Sequence, residues 1–477
     1  MTGILRRARR CATVASVCFL GSSIGQPVTA GQAALTHSTQ PLSAATLPDC
    51  APPNTSSAAS QTITMWSVLN VDADLLIKSQ IADFNQQHQD VQIDLTFTGS
   101  PDAIFAKLAA GERPDLLLMG IEAMVNLSDG GLITDAAACV ANDPTFDAPD
   151  FVPVTLATYQ LRGRQVGIPL SVSTPVMFYD RTQFARHGLD PDHPPQTLAE
   201  LRSTLEALMG SGDFGDGLGY GDASWFVSQW AAQLGEEIVS DGNGHDVAPG
   251  VGPSLQLGRP RLLMALGELQ SMAAAGLISK PIKNNTGYDD LLHLIDPAQP
   301  GAMALHTSGA TSRVYELLAG LTKSTAVVGV GPMPGPGSGA LVGGSAMWIT
   351  TSDVARVWPV WTAVRYFSDT RQQAQFGALG YAPSRKSSVD DAALRSVWTR
   401  FPGLRVGYDQ LADVSATPAH LRIAIGPEPV LSWRLNWAGE DVVDVARQQT
   451  PNAALANAER DASASMRAYA ELRYGAS

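Results

Sequence analysis

The sequence predicts an α/β chain folded into two lobes, each a doubly wound sheet flanked by helices. Three observations predict it. Residues 62–119 alternate strand, helix, strand, helix, strand, which is the signature of a parallel sheet with crossover helices. At 477 residues the chain exceeds what one hydrophobic core organises, so two lobes are expected. Residues 169–195, PLSVSTPVMFYDRTQFARHGLDPDHPP, read as a buried strand that leaves one lobe and enters the other, with Gly188 and Pro191 closing the helix after it. Clefts form at such crossings.

The elements follow in order. Arg6, Arg7, Arg9 and Arg10 precede a short apolar run, so residues 1–30 are expected as an export signal peptide. Residues 31–60, rich in Ser, Thr, Ala and Pro, are expected as a disordered tether outside the fold. A strand over 62–66 leads to a helix over 72–87 with Ile77, Ile81 and Phe84 on one face. Val91, Ile93, Leu95 and Phe97 alternate as a strand, and a turn at Gly99 opens a helix that stops at Gly111. Residues 116–119 are wholly apolar, as a parallel strand buried on both faces should be. Ligands bind at the carboxyl ends of such strands, where Trp66, Gly99 and Glu122 fall.

Beyond the crossing the pattern gives helices over 198–209, around Trp225 and Trp230, and over 262–275. The segment 211–222, SGDFGDGLGYGD, is expected as an exposed turn, since its carboxylates miss the alternate spacing of a calcium loop. A strand over 301–305 ends at His306, Thr307, Ser308 and Gly309, and Gly343 with Gly344 opens a strand over 342–349. Helices run from about residue 386 to the end. The boundaries expected are 61–170 with 324–372 for the first lobe and 171–323 with 373–477 for the second.

A formal charge of -13 excludes nucleic acid as a partner, because a phosphate backbone needs a basic footprint. Gly329 and Gly331 precede Pro332, Pro334 and Pro336, so no helix can begin there to hold a pyrophosphate. The His-Glu-x-x-His and Cys-x-x-Cys patterns are absent, the one Gly-x-Ser-x-Gly match, residues 21–25, falls in the expected leader, and neither an enzyme, a cofactor nor a metal is expected. Cys50 and Cys139 remain beyond the leader, either as a pair or as two free thiols.

The run Ser173-Thr174-Pro175, Phe178-Tyr179-Asp180 and Pro194-Pro195, with residues 342–349 and 380–385, resembles the bacterial extracellular solute-binding proteins of ABC importers. The resemblance implies the type II periplasmic-binding-protein fold, an exported monomer outside the cytoplasmic membrane, and permease transmembrane subunits as partners. Within that family it is closest to the branch that binds glycerol-3-phosphate and glycerophosphodiesters such as glycerophosphocholine; the alternative is an oligosaccharide or disaccharide. The branch's ligand positions fall here on Glu122, Ser173, Thr307 with Ser308, Gly343, Gly344, Tyr381 and Arg422, with Trp66 and Trp225 as stacking aromatics. Arg422 would offer phosphate a planar fork, Glu122 would accept from glycerol hydroxyls, and the aromatic rings would meet a quaternary ammonium. Core positions are the preferred reading for Trp225 and Trp230, ahead of the site. One departure stands out: the branch places a Tyr after the second strand, where this chain has Pro101.

Overall fold

The computed structural model describes residues 50, 60–68, 71–220, 223–248, 253–279, 291, 293–294, 300–320, 327–412, 425–426, 441–444 and 449–474. The expected leader and Arg422 lie outside the described residues.

β1 (Gln61–Ser67), α1 (Val71–Gln87), β2 (Val91–Phe97), α2 (Pro101–Ala109) and β3 (Leu116–Gly120) build the first sheet as its periodicity predicts. β2 and β3 flank β1 in parallel, with Gln61 opposite Val91 and Met65 opposite Leu116. Leu116 through Met119 are fully buried, because helices cover both faces. Ser100 caps α2 by accepting from the Ala103 amide at 3.2 Å, and Pro101 takes the first helical position. Its missing N–H costs nothing there, which gives Pro101 a structural reason to stand at this turn.

β4 (Ile168–Ser173) and β5 (Pro175–Asp180) are separated by Thr174 alone, yet lie in different sheets. Next come α3 (Leu198–Gly210), β6 (Asp216–Tyr220), α4 (Ala223–Gln233), α5 (Pro260–Ala274), β7 (Gly301–Thr307), α6 (Thr311–Gly320) and β8 (Val328–Pro332). β9 (Gly343–Ile349), α7 (Val354–Phe367), α8 (Thr370–Gly377), α9 (Ala392–Arg400), α10 (Val406–Ala412) and α11 (Pro451–Tyr474) follow. The first sheet has the order β2-β1-β3-β9-β4 and the second β8-β5-β7-β6. The chain therefore passes from the first sheet to the second at Thr174 and returns between Pro332 and Gly343.

Four expectations change. β8, expected in the first lobe, pairs antiparallel with β5 in the second sheet, so the return lies after residue 332 and not near 324. The boundary expected at 373 falls inside α8, whose buried Gln373 donates to Leu170 O at 3.1 Å and accepts from the Ser384 amide at 3.0 Å. Residues 216–220 of the expected turn at 211–222 are strand β6, where Gly217 lets the Leu277 carbonyl approach so closely that a Cβ would lie 2.0 Å from it. Cys50, expected in the tether, is fully buried and disulfide-bonded to Cys139, with Asn142 donating to its carbonyl at 3.0 Å.

Candidate functional site

Both sheets offer strand ends at the Thr174 crossing. Ser173 closes β4 opposite Gly343, the first residue of β9, and Pro175 opens β5 opposite Thr307, the last residue of β7. Thr307 is half-buried, and its hydroxyl accepts weakly from the Gly309 amide at 3.4 Å, which leaves its donor capacity for another group.

Glycines bring the remaining groups in. A Cβ on Gly309 would lie 2.7 Å from Tyr381 Cε1, so the Tyr381 ring rests on bare backbone beside the end of β7. The Ala382 amide donates to Val172 O at 2.8 Å, which fixes Tyr381 next to β4 as well. A Cβ on Gly343 would lie 2.6 Å from Trp225 Cζ2, so the half-buried indole, carried by α4 of the second lobe, leans on the first strand residue of β9. Among the described residues the buried Trp225 indole N–H has no hydrogen-bond partner. Gly344 has a φ of 100°, and a Cβ there would meet Ser171 O at 1.8 Å. Both positions demand glycine. The register of β4 against β9 slips just beyond them, a bulge of the kind that re-aims side chains beside sites.

Glu122 sits at the carboxyl end of β3 in a short 3-10 turn (Ile121–Ala123), its carboxylate folded back over Gly120. Gly120 pairs with Ser345 of β9, so the carboxylate belongs to the same strand-end cluster. Tyr159 is fully buried near it. Burial and the Glu122 charge push its phenol well above the usual range, so the hydroxyl stays protonated.

The structure thus assembles Ser173, Trp225, Thr307, Gly343, Gly344 and Tyr381, with Glu122 at their edge. Two expected members do not join as donors or rings. Ser308 is fully buried at the crossing, with its amide on Thr174 O at 2.9 Å and its hydroxyl accepting from the Thr174 amide at 3.3 Å. Trp66 is 9% exposed and shares a core with Ile104, Phe105 and Leu108 of α2, its ring faced by Lys107 Nζ at 5.1 Å from the centroid. Trp230 resolves as core: it is fully buried and its indole donates to Pro334 O at 3.0 Å.

Sequence reasoning missed Gln410 and Gln229. The Gln410 carboxamide donates to Thr174 Oγ1 and Pro175 O, both at 2.9 Å, and accepts from the Met333 amide at 3.2 Å, tying the two crossings together. A glutamine on an amphipathic helix carries no signal for such a role. Asp74, in the first turn of α1, faces Ser67 Oγ at 3.4 Å, and burial pushes its carboxyl up to about 7 against the lowering effects of that hydroxyl and of Lys78. Among the described residues no cluster of His, Cys, Asp and Glu is placed to hold a metal.

The profile of the family described as "Bacterial extracellular solute-binding protein" matches residues 79–402. The sn-glycerol-3-phosphate-binding periplasmic protein UgpB of Escherichia coli is 23% identical over 395 residues, 77% of this chain and 84% of that protein. Its counterpart from Pectobacterium atrosepticum is 22% identical over 435 residues, covering 86% and 92%. UgpB from Mycobacterium tuberculosis, solved with glycerophosphocholine, superposes with a TM-score of 0.67 at 20% identity over 86% of this chain and 98% of that one. The cyclic alpha-maltosyl-1,6-maltose binding protein from Arthrobacter globiformis gives 0.67 at 18% identity over 86% and 100%.

Proposed function

Since this chain belongs to the bacterial extracellular solute-binding proteins, we propose that it captures glycerol-3-phosphate or a glycerophosphodiester such as glycerophosphocholine between its lobes and delivers it to the permease of an ABC importer. The fold is the two-lobed type II arrangement of its structural neighbours, and the family is one of binding subunits. No chemical step is assigned to the cleft.

One observation supports the ligand reading: Ser173, Thr307, Gly343, Gly344 and Tyr381, positions that the resemblance assigns to ligand, lie at the crossing. Ser173 and Thr307 supply hydroxyls from the two lobes, Trp225 supplies a ring and an unengaged indole N–H, and Tyr381 rests beside them on Gly309. Such a set suits a ligand with hydroxyls at one end and an ammonium at the other. Glu122 would accept from glycerol hydroxyls, and Arg422 would pair with the phosphate. Groups come from both lobes, so closing the cleft completes the site. The relatives named for sn-glycerol-3-phosphate and the neighbour solved with glycerophosphocholine support this choice.

A second reading, an oligosaccharide, is favoured by Pro101 in place of the branch's Tyr and by sugar-binding neighbours of equal structural likeness. A thermal-shift screen of the exported chain, Cys50 included, decides between them. The probes are glycerol-3-phosphate, glycerophosphocholine, maltose, trehalose and glycerol. Saturation at about 100-fold the dissociation constant adds about 2.7 kcal/mol and raises the midpoint visibly. The expected result is a shift with the phosphate compounds alone, lost in Arg422→Ala and weakened about tenfold or more for glycerophosphocholine in Trp225→Ala. A shift with the sugars alone overturns the reading.

A further inference from the structure

The return segment from β8 to β9, MPGPGSGALV over residues 333–342, has the composition of a loose linker, yet α4 lies along it in the opposite direction. At the amino end of the helix Trp225 leans on Gly343. One turn on, the fully buried Gln229 carboxamide donates to Gly339 O at 2.8 Å and accepts from the Leu341 amide at 2.8 Å. At the far end the Trp230 indole donates to Pro334 O at 3.0 Å and the Gln233 carboxamide to Met333 O at 3.0 Å. The glycines permit this approach. A Cβ on Gly335 would lie 1.6 Å from the Gln233 side chain, and one on Gly337 would lie 2.1 Å from the Gln233 carbonyl. Residues 225, 229, 230 and 233 form a single stripe at helical spacing.

A segment bonded along its length to the second lobe cannot also be the flexing part of the connection. Its bonds to α4 end at Leu341, and Gly344, with a φ of 100° that only glycine tolerates easily, is where the backbone next turns. We infer that Gln229 is a positioning residue of the ligand site: it holds the return segment to the helix that bears Trp225, fixes the Trp225–Gly343 wall, and leaves Gly343 and Gly344 as the pivot. The wall's role in ligand capture rests on the function proposed above; the mooring and the pivot do not.

Three measurements test it. Spin labels on cysteines introduced at Gln89 of the first lobe and at the exposed Met264 of the second report lobe separation without ligand. Gln229→Met, which keeps the shape and removes both bonds, should broaden or shift the distance distribution; an unchanged distribution overturns the pivot. Hydrogen exchange on the wild-type chain covers the case in which that variant does not fold. The Leu341 amide should be protected without ligand, and exchange as fast as in an exposed loop overturns the mooring. Glycerophosphocholine and maltose then serve as probes in binding kinetics. Gln229→Met, read well below its own lowered melting transition, should speed dissociation of the bound probe about tenfold, and Gln229→Glu, which retains the acceptor for Leu341, should recover part of it. Native kinetics in a folded Gln229→Met overturn the positioning role. Should neither probe bind the wild type, the ligand reading fails while the distance and exchange results still judge the pivot.

Discussion

Asp74 carries a charge that the fold disfavours. Its carboxyl is pushed up to about 7, while an unfolded Asp titrates near about 3.9. A raised carboxyl contributes its stability below the unfolded value and loses it as pH rises through the folded one, so the loss accrues between about 4 and 7. Asp74→Asn should therefore raise the melting temperature by a few degrees at pH 8 and by almost nothing at pH 4. The half-exposed side chain keeps the effect modest. Melting curves at the two pH values check it, and an equal gain at both would assign the effect to packing. The same scale separates what could be read from residue identity. Ser173, Thr307, Gly343 and Tyr381 were legible as motif positions, because a resemblance transfers residue by residue. For Ser308, motif position cannot reveal that the side chain is fully buried and that its hydroxyl accepts from the Thr174 amide at the crossing. Tyr159, Gln229 and Gln410 had no motif, and their roles exist only through distant partners.

Elements were legible where a local pattern fixed them and obscure where distant contacts did. The alternation in β2 and the apolar run of β3 announce themselves. β6 hides among the five glycines of residues 211–222, and forms because β7 and the Leu277 carbonyl pair with it. β8 sits next to β9 in sequence but pairs with β5, and no periodicity reports strand register or partner. Residues 380–385, one of the stretches that carry the family resemblance, also do more for the fold than for the site. Arg385 is buried, donates to Ser368 O and, at 3.1 Å, to Asp147 O, pairs with Asp150 at 3.3 Å, and stacks 4.3 Å from the Phe151 ring centroid. It fastens the segment after α8 to residues 147–151 of the first lobe. Arg385→Ala should cost about 3–5 kcal/mol by stranding Asp150 and the two carbonyls, with ligand affinity unchanged in the folded fraction. Arg385→Lys should recover little, because an ammonium cannot stack and fork at once. Denaturant titration beside a binding isotherm checks both, and lost affinity at native stability would move Arg385 into the site.

At the scale of the molecule, a protein that closes on its ligand needs lobes that stay intact while the crossings bend. The second lobe achieves this by mooring the return segment to α4. In the first lobe the Cys50–Cys139 disulfide closes a loop of 89 residues around β1, β2 and β3. Cys50 and Cys139 lie in the core shared by α1 and α7, among Phe146 and Trp361, and away from Thr174 and Gly343. An exported chain meets an oxidising compartment, where such a bond persists. Cross-linking a loop this long restricts the unfolded ensemble by about 4–5 kcal/mol in the chain-entropy account. The double variant Cys50→Ser with Cys139→Ser should therefore unfold at markedly lower denaturant, and added reductant should lower the wild type towards it. Ligand dissociation measured well below the transition should stay unchanged, because the crossings and the Trp225 wall do not touch the bond. A variant that kept its stability but lost ligand would mean that the first lobe bends as it closes, and that the pivot is shared with the strands behind Glu122.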